Sequence, residues 1–368
     1  MWAAPARANV QIYGALDSFL QYARVGSQTS IGLMSGGAST SRFGFIGSED
    51  LGGGLRAVFQ LESGFAIGTG KSLQGSREFG RQAFFGLASD RWGTLVMGRM
   101  YDPIVDLVQP LTADGAGGSV PFATPGDVDN NDFSARVSNA VKFISRDYSG
   151  LQFETLYAFG GVAGSTGQGY TFSGAVSYTQ GPFRLAAGYF QAANANAASG
   201  KRSGWTSGTT DALFEGGSIN AAYQSAHTLD IAQIAGQYQS GPWTLGVGYS
   251  NARYTADGAS TFTSTERYDT GRVYGFYRWT PALRFGLGYI YTAARGDASA
   301  HYHVLSAGTF YNLSKLTDVY ATAAFQRASG VQRTTSGGTQ AALATISSYG
   351  VDGHRTQEIV TVGLRHRF

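Results

Sequence analysis

The chain of 368 residues has no cysteine, and charged residues make up only 14% of it. The first absence removes disulfide scaffolds, thiol catalysis and cysteine-ligated zinc together. The second sets the chain apart from soluble domains, in which about a quarter of residues are charged. No run of about eighteen apolar residues occurs, so helical membrane spanning is excluded. The mean hydropathy of −0.12 gives no membrane signal to a helix-oriented scan. Strands whose two faces alternate escape such scans, because apolar and polar residues cancel in any window.

What is present suits strands. Glycine supplies 53 residues and aromatics 13% of the chain, a composition that favours pleated, twisted segments and interfacial rings over helices. The final ten residues, IVTVGLRHRF, place Val360, Val362, Leu364, His366 and Phe368 at one parity. Thr361, Gly363, Arg365 and Arg367 fall at the other. That is a strand with one oily and one wet face, ending on an aromatic residue. A barrel closing its last strand against its first inside a membrane needs this pattern.

The same alternation recurs along the chain. In NVQIYGALDSFLQYAR, residues 9–24, Ile12, Gly14, Leu16, Ser18 and Leu20 oppose Gln11, Tyr13, Ala15 and Asp17. The turn LGGG then joins SRFGFIGSED to LRAVFQLESGF as a hairpin. Segments near 9–24, 38–50, 54–66, 77–90, 93–102, 137–148, 151–160 and 169–180 follow this rule. So do 183–192, 229–240, 243–254, 268–279, 283–295, 301–314, 317–328 and 356–368, about sixteen in all. Very short connectors, such as Ser149-Gly150, Gly181-Pro182 and Gly241-Pro242, alternate with long polar ones. Short inner turns and long outer loops are the signature of a transmembrane antiparallel barrel. Tyr178, Phe183, Trp243, Tyr277, Trp279, Tyr311 and Tyr320 cluster at strand ends, where interfacial belts lie.

Residues 1–8 contain only Ala6-Arg7-Ala8 as a cleavage-like feature, so they read as a trimmed leader or an expression remnant ahead of a single domain, 9–368. Two long stretches break the alternation. Residues 193–228, rich in small polar side chains, read as an outer loop. Residues 103–136 carry enough Leu, Ile, Val and Pro to pack against something, together with Asp106, Asp114, Asp127, Asp129 and Asp132.

Several ordered motifs carry a family resemblance: VQIYGALD (10–17), SRFGFIGSEDLGGGLRAVFQLESGF (41–65), RQAFFGLAS (81–89), GTLVMGRMYD (93–102), LSKLTDVYATAAFQRAS (313–329) and TVGLRHRF (361–368). From Asn9 to Phe368 the chain resembles a general trimeric porin of the beta-proteobacterial type. The resemblance implies a sixteen-stranded barrel, a homotrimer, a third outer loop (103–136) folded into the lumen as the constriction, and passive diffusion of small hydrophilic solutes and ions. It also implies a Gram-negative outer membrane, with outer-membrane lipid and lipopolysaccharide as neighbours. No enzyme and no cofactor are expected: there are five histidines and no nucleophile motif.

In such a pore the chemistry is electrostatic filtering at a narrow point. Alternation points Arg42 inward, opposite Phe43 and Phe45, and sets Arg56 and Glu62 against Leu55, Phe59 and Leu61. Arg81 is inward if Phe84 is outward. Arg136, which closes the acidic loop, corresponds by resemblance to a wall arginine. The expected constriction is Arg42, Arg81 and Arg136 facing Asp106 and Asp114, with Arg56 and Glu62 nearby. Arginine suits the role because it stays charged at any working pH, and only four of the 27 basic residues are lysine. The plain alternative makes each of them a solvated lumen residue or half of a loop-anchoring pair. The arginines favour anions and the loop aspartates favour cations; the balance leans weakly to anions. Arg99 shares parity with Leu95 and Met97 and is assigned to a subunit contact, and loop 66–78, with Lys71 and Arg77, is assigned to reach a neighbouring subunit. The small outward residues Gly14 and Ser18 fit close packing.

Other constellations are weaker. DVDNND (127–132) has Asp132 and Ser138 where a calcium loop needs Gly and Glu, so loop hydrogen bonding is the expected role. His301 and His303 share a strand face without an evident third metal ligand. The net charge of +3 is explained by a basic lumen and an anionic lipid surface without nucleic acid. The alternative function is a substrate-selective channel for a small organic acid or sugar.

Overall fold

The computed structural model describes residues 9–132, 135–195, 200–210, 217–297, 299–346 and 353–368; the reading of 1–8 lies outside them. The strands are β1 (Asn9–Val25), β2 (Gln28–Ser35), β3 (Arg42–Gly52), β4 (Leu55–Gly64), β5 (Gln82–Ser89) and β6 (Gly93–Met100). They continue as β7 (Val137–Ile144), β8 (Leu151–Ala158), β9 (Thr171–Gln180), β10 (Phe183–Ala193), β11 (Thr228–Ser240) and β12 (Trp243–Thr255). The last six are β13 (Glu266–Arg278), β14 (Leu283–Arg295), β15 (Ser299–Asn312), β16 (Thr317–Arg333), β17 (Thr339–Ala341) and β18 (Thr356–Arg367).

Sequential strands pair antiparallel around the molecule, and β18 returns to β1 with Ala15 opposite Arg367 and Val25 opposite Gln357. Sixteen strands make the closed wall: β1, β3 to β16, and β18. Beyond the last ladder pair, Gly14 and Phe368 exchange backbone hydrogen bonds of 2.9 and 3.1 Å. A Cβ on Gly14 would lie 2.5 Å from the Phe368 ring. Gly14 is therefore covered by its own chain end, not open to a neighbour.

The alternation explains the wall. On β12, Leu245 and Val247 point outward at 45% and 59% exposure, while Ala252 and Tyr254 face the interior fully buried. A soluble sheet would bury its apolar row; here that row is the outer surface. No helix among the described residues is long and apolar enough to cross a membrane.

The second wall position differs from the expected strand 38–50. β2 pairs with the loop-side half of β1 and β3 with the turn-side half, and residues 36–41 leave the ladder between them. The cause is Asp17: its carboxylate accepts the backbone N–H groups of Gly37, Ala38 and Ser39 at 3.3, 2.9 and 2.8 Å. Gly36 takes the positive φ of 88° that the bend requires. Tyr320, read as a belt residue, instead points inward and donates its hydroxyl to Asp17 at 2.6 Å. Its strand parity decides this: Val319 and Ala321 take the outward face.

The loop between β6 and β7 folds into the lumen. Its helical turn Ile104–Val108 buries Ile104, Leu107 and Val108, followed by Leu111, in the cluster that holds Phe190 and Ile231 from the inner wall. Close approach is allowed by Gly188, where a Cβ would meet the Ile104 side chain at 2.9 Å. Burial of each such side chain contributes roughly 2 kcal/mol, so the apolar residues of 103–136 hold the loop to the wall.

Candidate functional site

Across the ladder, Glu62 lies opposite Gly44 on β3 and Gln82 on β5. This register places the side chain of Glu62 between Arg42 and Arg81. Arg81 donates its Nε–H to Glu62 Oε1 at 2.6 Å, and the Arg42 guanidinium is 3.3 Å from Oε2. Tyr13 donates its hydroxyl to the same Oε2 at 2.9 Å. Tyr101, the first residue of the inward loop, extends the group. The Arg81 and Arg136 guanidiniums lie 5.7 and 5.1 Å from its ring centroid, and Arg136 donates to its hydroxyl at 3.1 Å. Three arginines thus gather around one carboxylate and one aromatic ring, an arrangement guanidinium planes tolerate by stacking.

The loop carboxylates part company. Asp114 accepts from Gln109 Nε2 at 3.1 Å. Its carboxyl is pushed well above the usual range by burial and by the neighbouring Asp132. Asp106 does not face the arginines. It pairs with Lys142 on β7 and lines a small cavity of about 160 Å³ with Asp147, Gly150 and Arg184 on the turn side of the loop. The helical turn at Ile104–Val108 carries Asp106 under the loop, a path that sequence spacing does not show. Asp102 beside it is pushed up to about 6, by burial and then by Asp106.

Asp129 crosses the barrel to pair with Arg272 of β13 and accepts from Ser250. Burial alone would raise its carboxyl; Arg272 and Ser250 bring it below the usual value. Asp127 accepts the Asp132 backbone N–H at 2.8 Å, so DVDNND works through hydrogen bonds within the loop and to the wall. The far end of the loop is held by Arg284, whose guanidinium lies 4.6 Å from the centroids of both Phe276 and Phe310. It donates to the Ala116 and Gly117 carbonyls.

Above the loop lies a cavity of about 940 Å³. Its lining includes Arg77, Arg136, Arg365, Asp114, Asp132 and Trp205. Arg365, on the wet face of β18, was legible by parity but not singled out. The same holds for Arg272, which alternates with Val273. Lys142 and Arg284 had no signal without the path of the loop.

Three expected placements change. Arg56 is not at the constriction: it pairs with Asp90 at 3.1 Å, both half-exposed, beside the short turn 53–54. It sits six residues from Glu62, about 20 Å along the strand. Arg99 is not available to a neighbour, being only 7% exposed, with its guanidinium donating to the Gly80 carbonyl and the Ser138 hydroxyl, both at 2.8 Å. A bulge between Gly98 and Met100 shifts the register there, so parity counted from Leu95 fails. Arg77 lines the chain's own cavity, whereas Lys71 is exposed. His301 and His303 face outward, each with its Nδ1 against a tyrosine hydroxyl, Tyr291 at 2.8 Å and Tyr289 at 2.7 Å.

A closed sixteen-strand antiparallel barrel agrees with the proteins that the chain resembles. The Gram-negative porin family model matches residues 1–331. The chain belongs to that family. This porin is 29% identical to an outer membrane porin protein of Bordetella pertussis, over 87% of its own length and 89% of the relative's. Its fold is similar to that of an anion-selective porin from Comamonas acidovorans, with a TM-score of 0.74 at 21% identity, covering 98% and 100% of the two chains. The trimer form of an outer membrane protein of Vibrio cholerae also shares the fold, with a TM-score of 0.66 at 17% identity, covering 98% and 99%. As a Gram-negative porin, the protein is a passive diffusion channel of the outer membrane.

Proposed function

We propose that this channel prefers anions, and that Arg42, Arg81 and Arg136 set the preference while Glu62 offsets part of it. The observation that carries this is the different fate of the two charge signs. Arg136 lines the cavity, and Arg42 and Arg81 cluster beside it around Glu62 and Tyr101. Asp106 and Asp129 are each paired to a cation away from the cavity. Asp114 is buried against Asp132, and both effects raise its carboxyl above the usual carboxylate range, which disfavours its negative charge. Within a Debye length of about 8 Å at physiological salt, fixed lumen charges are little screened. The test is the reversal potential of the purified protein in a planar bilayer under a potassium chloride gradient. An anion-signed potential supports the reading, and a cation-signed one hands control to the loop aspartates.

A second reading, a channel selective for a small organic acid, draws on Trp205 lining the same cavity as Arg136. Flux that saturates with one solute would favour it. The homotrimer is part of the proposal as well. Among the described residues β2 is paired with β1 alone, and its Ile31 and Leu33 are 78% and 63% exposed, a surface suited to a second copy. Lys71, on the exposed loop after β4, belongs to that contact. Small hydrophilic solutes and ions are the cargo, with outer-membrane lipid and lipopolysaccharide around the barrel.

A further inference from the structure

Three arginines stand side by side on the outer wall. Arg253 of β12 is directly opposite Arg267 of β13, and Arg267 is directly opposite Arg295 of β14. Directly opposed residues share a sheet face about 5 Å apart, and all three are exposed. Like charges so placed repel. Nevertheless, no carboxylate among the described residues pairs with Arg253, Arg267 or Arg295. Arg253 donates only to Asn251 Oδ1 at 2.7 Å. The nearby acids are occupied by neutral donors: Asp269 accepts from Tyr249 and Asn251, both at 2.7 Å, and Asp230 accepts from Tyr189 at 2.7 Å.

Their depth is an independent observation. Trp243, Tyr277 and Phe285 form a cross-strand aromatic row at the turn end of the same strands. Each arginine lies ten residues further along its own strand, the span a tilted strand needs to cross the hydrocarbon. Between the rows run Leu245, Val247, Val273 and Leu287, all well exposed, then the exposed rings of Tyr249 and Tyr289 and, two residues short of the arginines, the opposed pair Asn251 and Asp269. The arginines therefore emerge at the headgroup layer on the loop side, which is the outer leaflet. In the connection from β12 to β13, Phe262 turns inward, away from them, buried against Tyr223 at 5.1 Å between ring centroids.

We propose that Arg253, Arg267 and Arg295 form a binding site for the phosphorylated sugar headgroup of lipopolysaccharide. Guanidinium forks match phosphate oxygens in pairs, and an anionic headgroup relieves the repulsion along the row. The proposal rests on the outer-membrane reading and adds the place of contact.

The test uses the full-length protein in detergent and measures binding of lipid A, both phosphorylated and enzymatically dephosphorylated. Wild-type protein should bind the phosphorylated form and lose most affinity for the dephosphorylated one. Replacing all three arginines by Gln should weaken binding of the phosphorylated form about 100-fold, and Arg267→Gln alone about fivefold. A control carrying Arg91→Gln and Arg278→Gln, exposed at the turn end, should bind as wild type. Unchanged binding by Arg267→Gln or the triple variant overturns the site, as does equal loss in the control. Competition by inorganic phosphate at equal concentration would show a free-anion site and overturn the lipid assignment. Single-channel conductance of the same samples keeps the two readings apart: a conducting triple variant that still binds lipid A removes the site and leaves the porin.

Discussion

Arg81 and Glu62 form an ion pair 2.6 Å long in which both side chains are almost fully buried, at 5% and 4% exposure. Glu62 holds Arg42 as well, so it fixes the spacing of two guanidiniums that would otherwise move apart. Its removal has two effects of different kind. Glu62→Gln leaves the lumen one unit more positive, so the reversal potential should move further toward the anion limit. The lost charge-assisted bond should cost about 2 kcal/mol, read as an earlier urea midpoint for the barrel.

Replacing Arg42 and Arg136 by Ser should move selectivity the other way. A unit charge 6 Å from a permeating ion is worth about 0.7 kcal/mol in water, roughly threefold in relative permeability per arginine. A chloride-to-potassium permeability ratio unchanged in the double variant would remove both residues from the filter.

Selectivity should also follow pH. Asp114 is held above the usual carboxylate range by burial and by Asp132. Its proton is therefore lost only as pH climbs past the ordinary carboxylate value near 4. Raising the pH through that window adds negative charge to the cavity, so anion preference should fall; lowering it should restore the preference. Asp114→Asn should flatten the profile. The linkage has the same sign for stability: a raised carboxyl loses stability as pH rises from its unfolded value toward its folded one. The Asn variant should then gain most on the alkaline side, as measured by melting in detergent.

The inward loop should come loose from β13 in Arg272→Met, which leaves the buried Asp129 without its cation. Removing one member of such a pair costs about 3–5 kcal/mol. Open-channel current noise should rise along with the loss of stability. Combining Asp129→Leu with Arg272→Met should recover most of the stability, because the charge is then gone from both sides; no recovery would show that other contacts fail first.

The wall was largely legible because a two-residue period is a local property. The expected 229–240 and 243–254 fall within a residue of β11 and β12, and inward arginines such as Arg42 follow from parity alone. β2 was missed because GGAST between Ser35 and Ser41 reads as loop, and its meaning depends on Asp17, twenty residues earlier. Parity also failed where a bulge intervenes, at Arg99. Asp106 was misplaced for a further reason. A side chain on a loop takes its direction from what the loop packs on, and the seat of Ile104 over Gly188 is a tertiary contact with no trace in local spacing.

The inward loop is fastened at many points of the circumference. Asp106 binds Lys142 on β7, Asp129 binds Arg272 on β13, Arg284 of β14 holds Gly117, Ser306 of β15 holds Pro121, and Val120 donates to Gly37 beyond the closure seam. A hollow cylinder squeezed from its sides flattens into an ellipse, but one with a chord tied to opposite walls keeps its diameter. The loop thus acts as a crossbeam. Lateral pressure from the surrounding lipid is carried by its ion pairs and buried side chains, so the opening keeps its width when the mechanical state of the membrane changes.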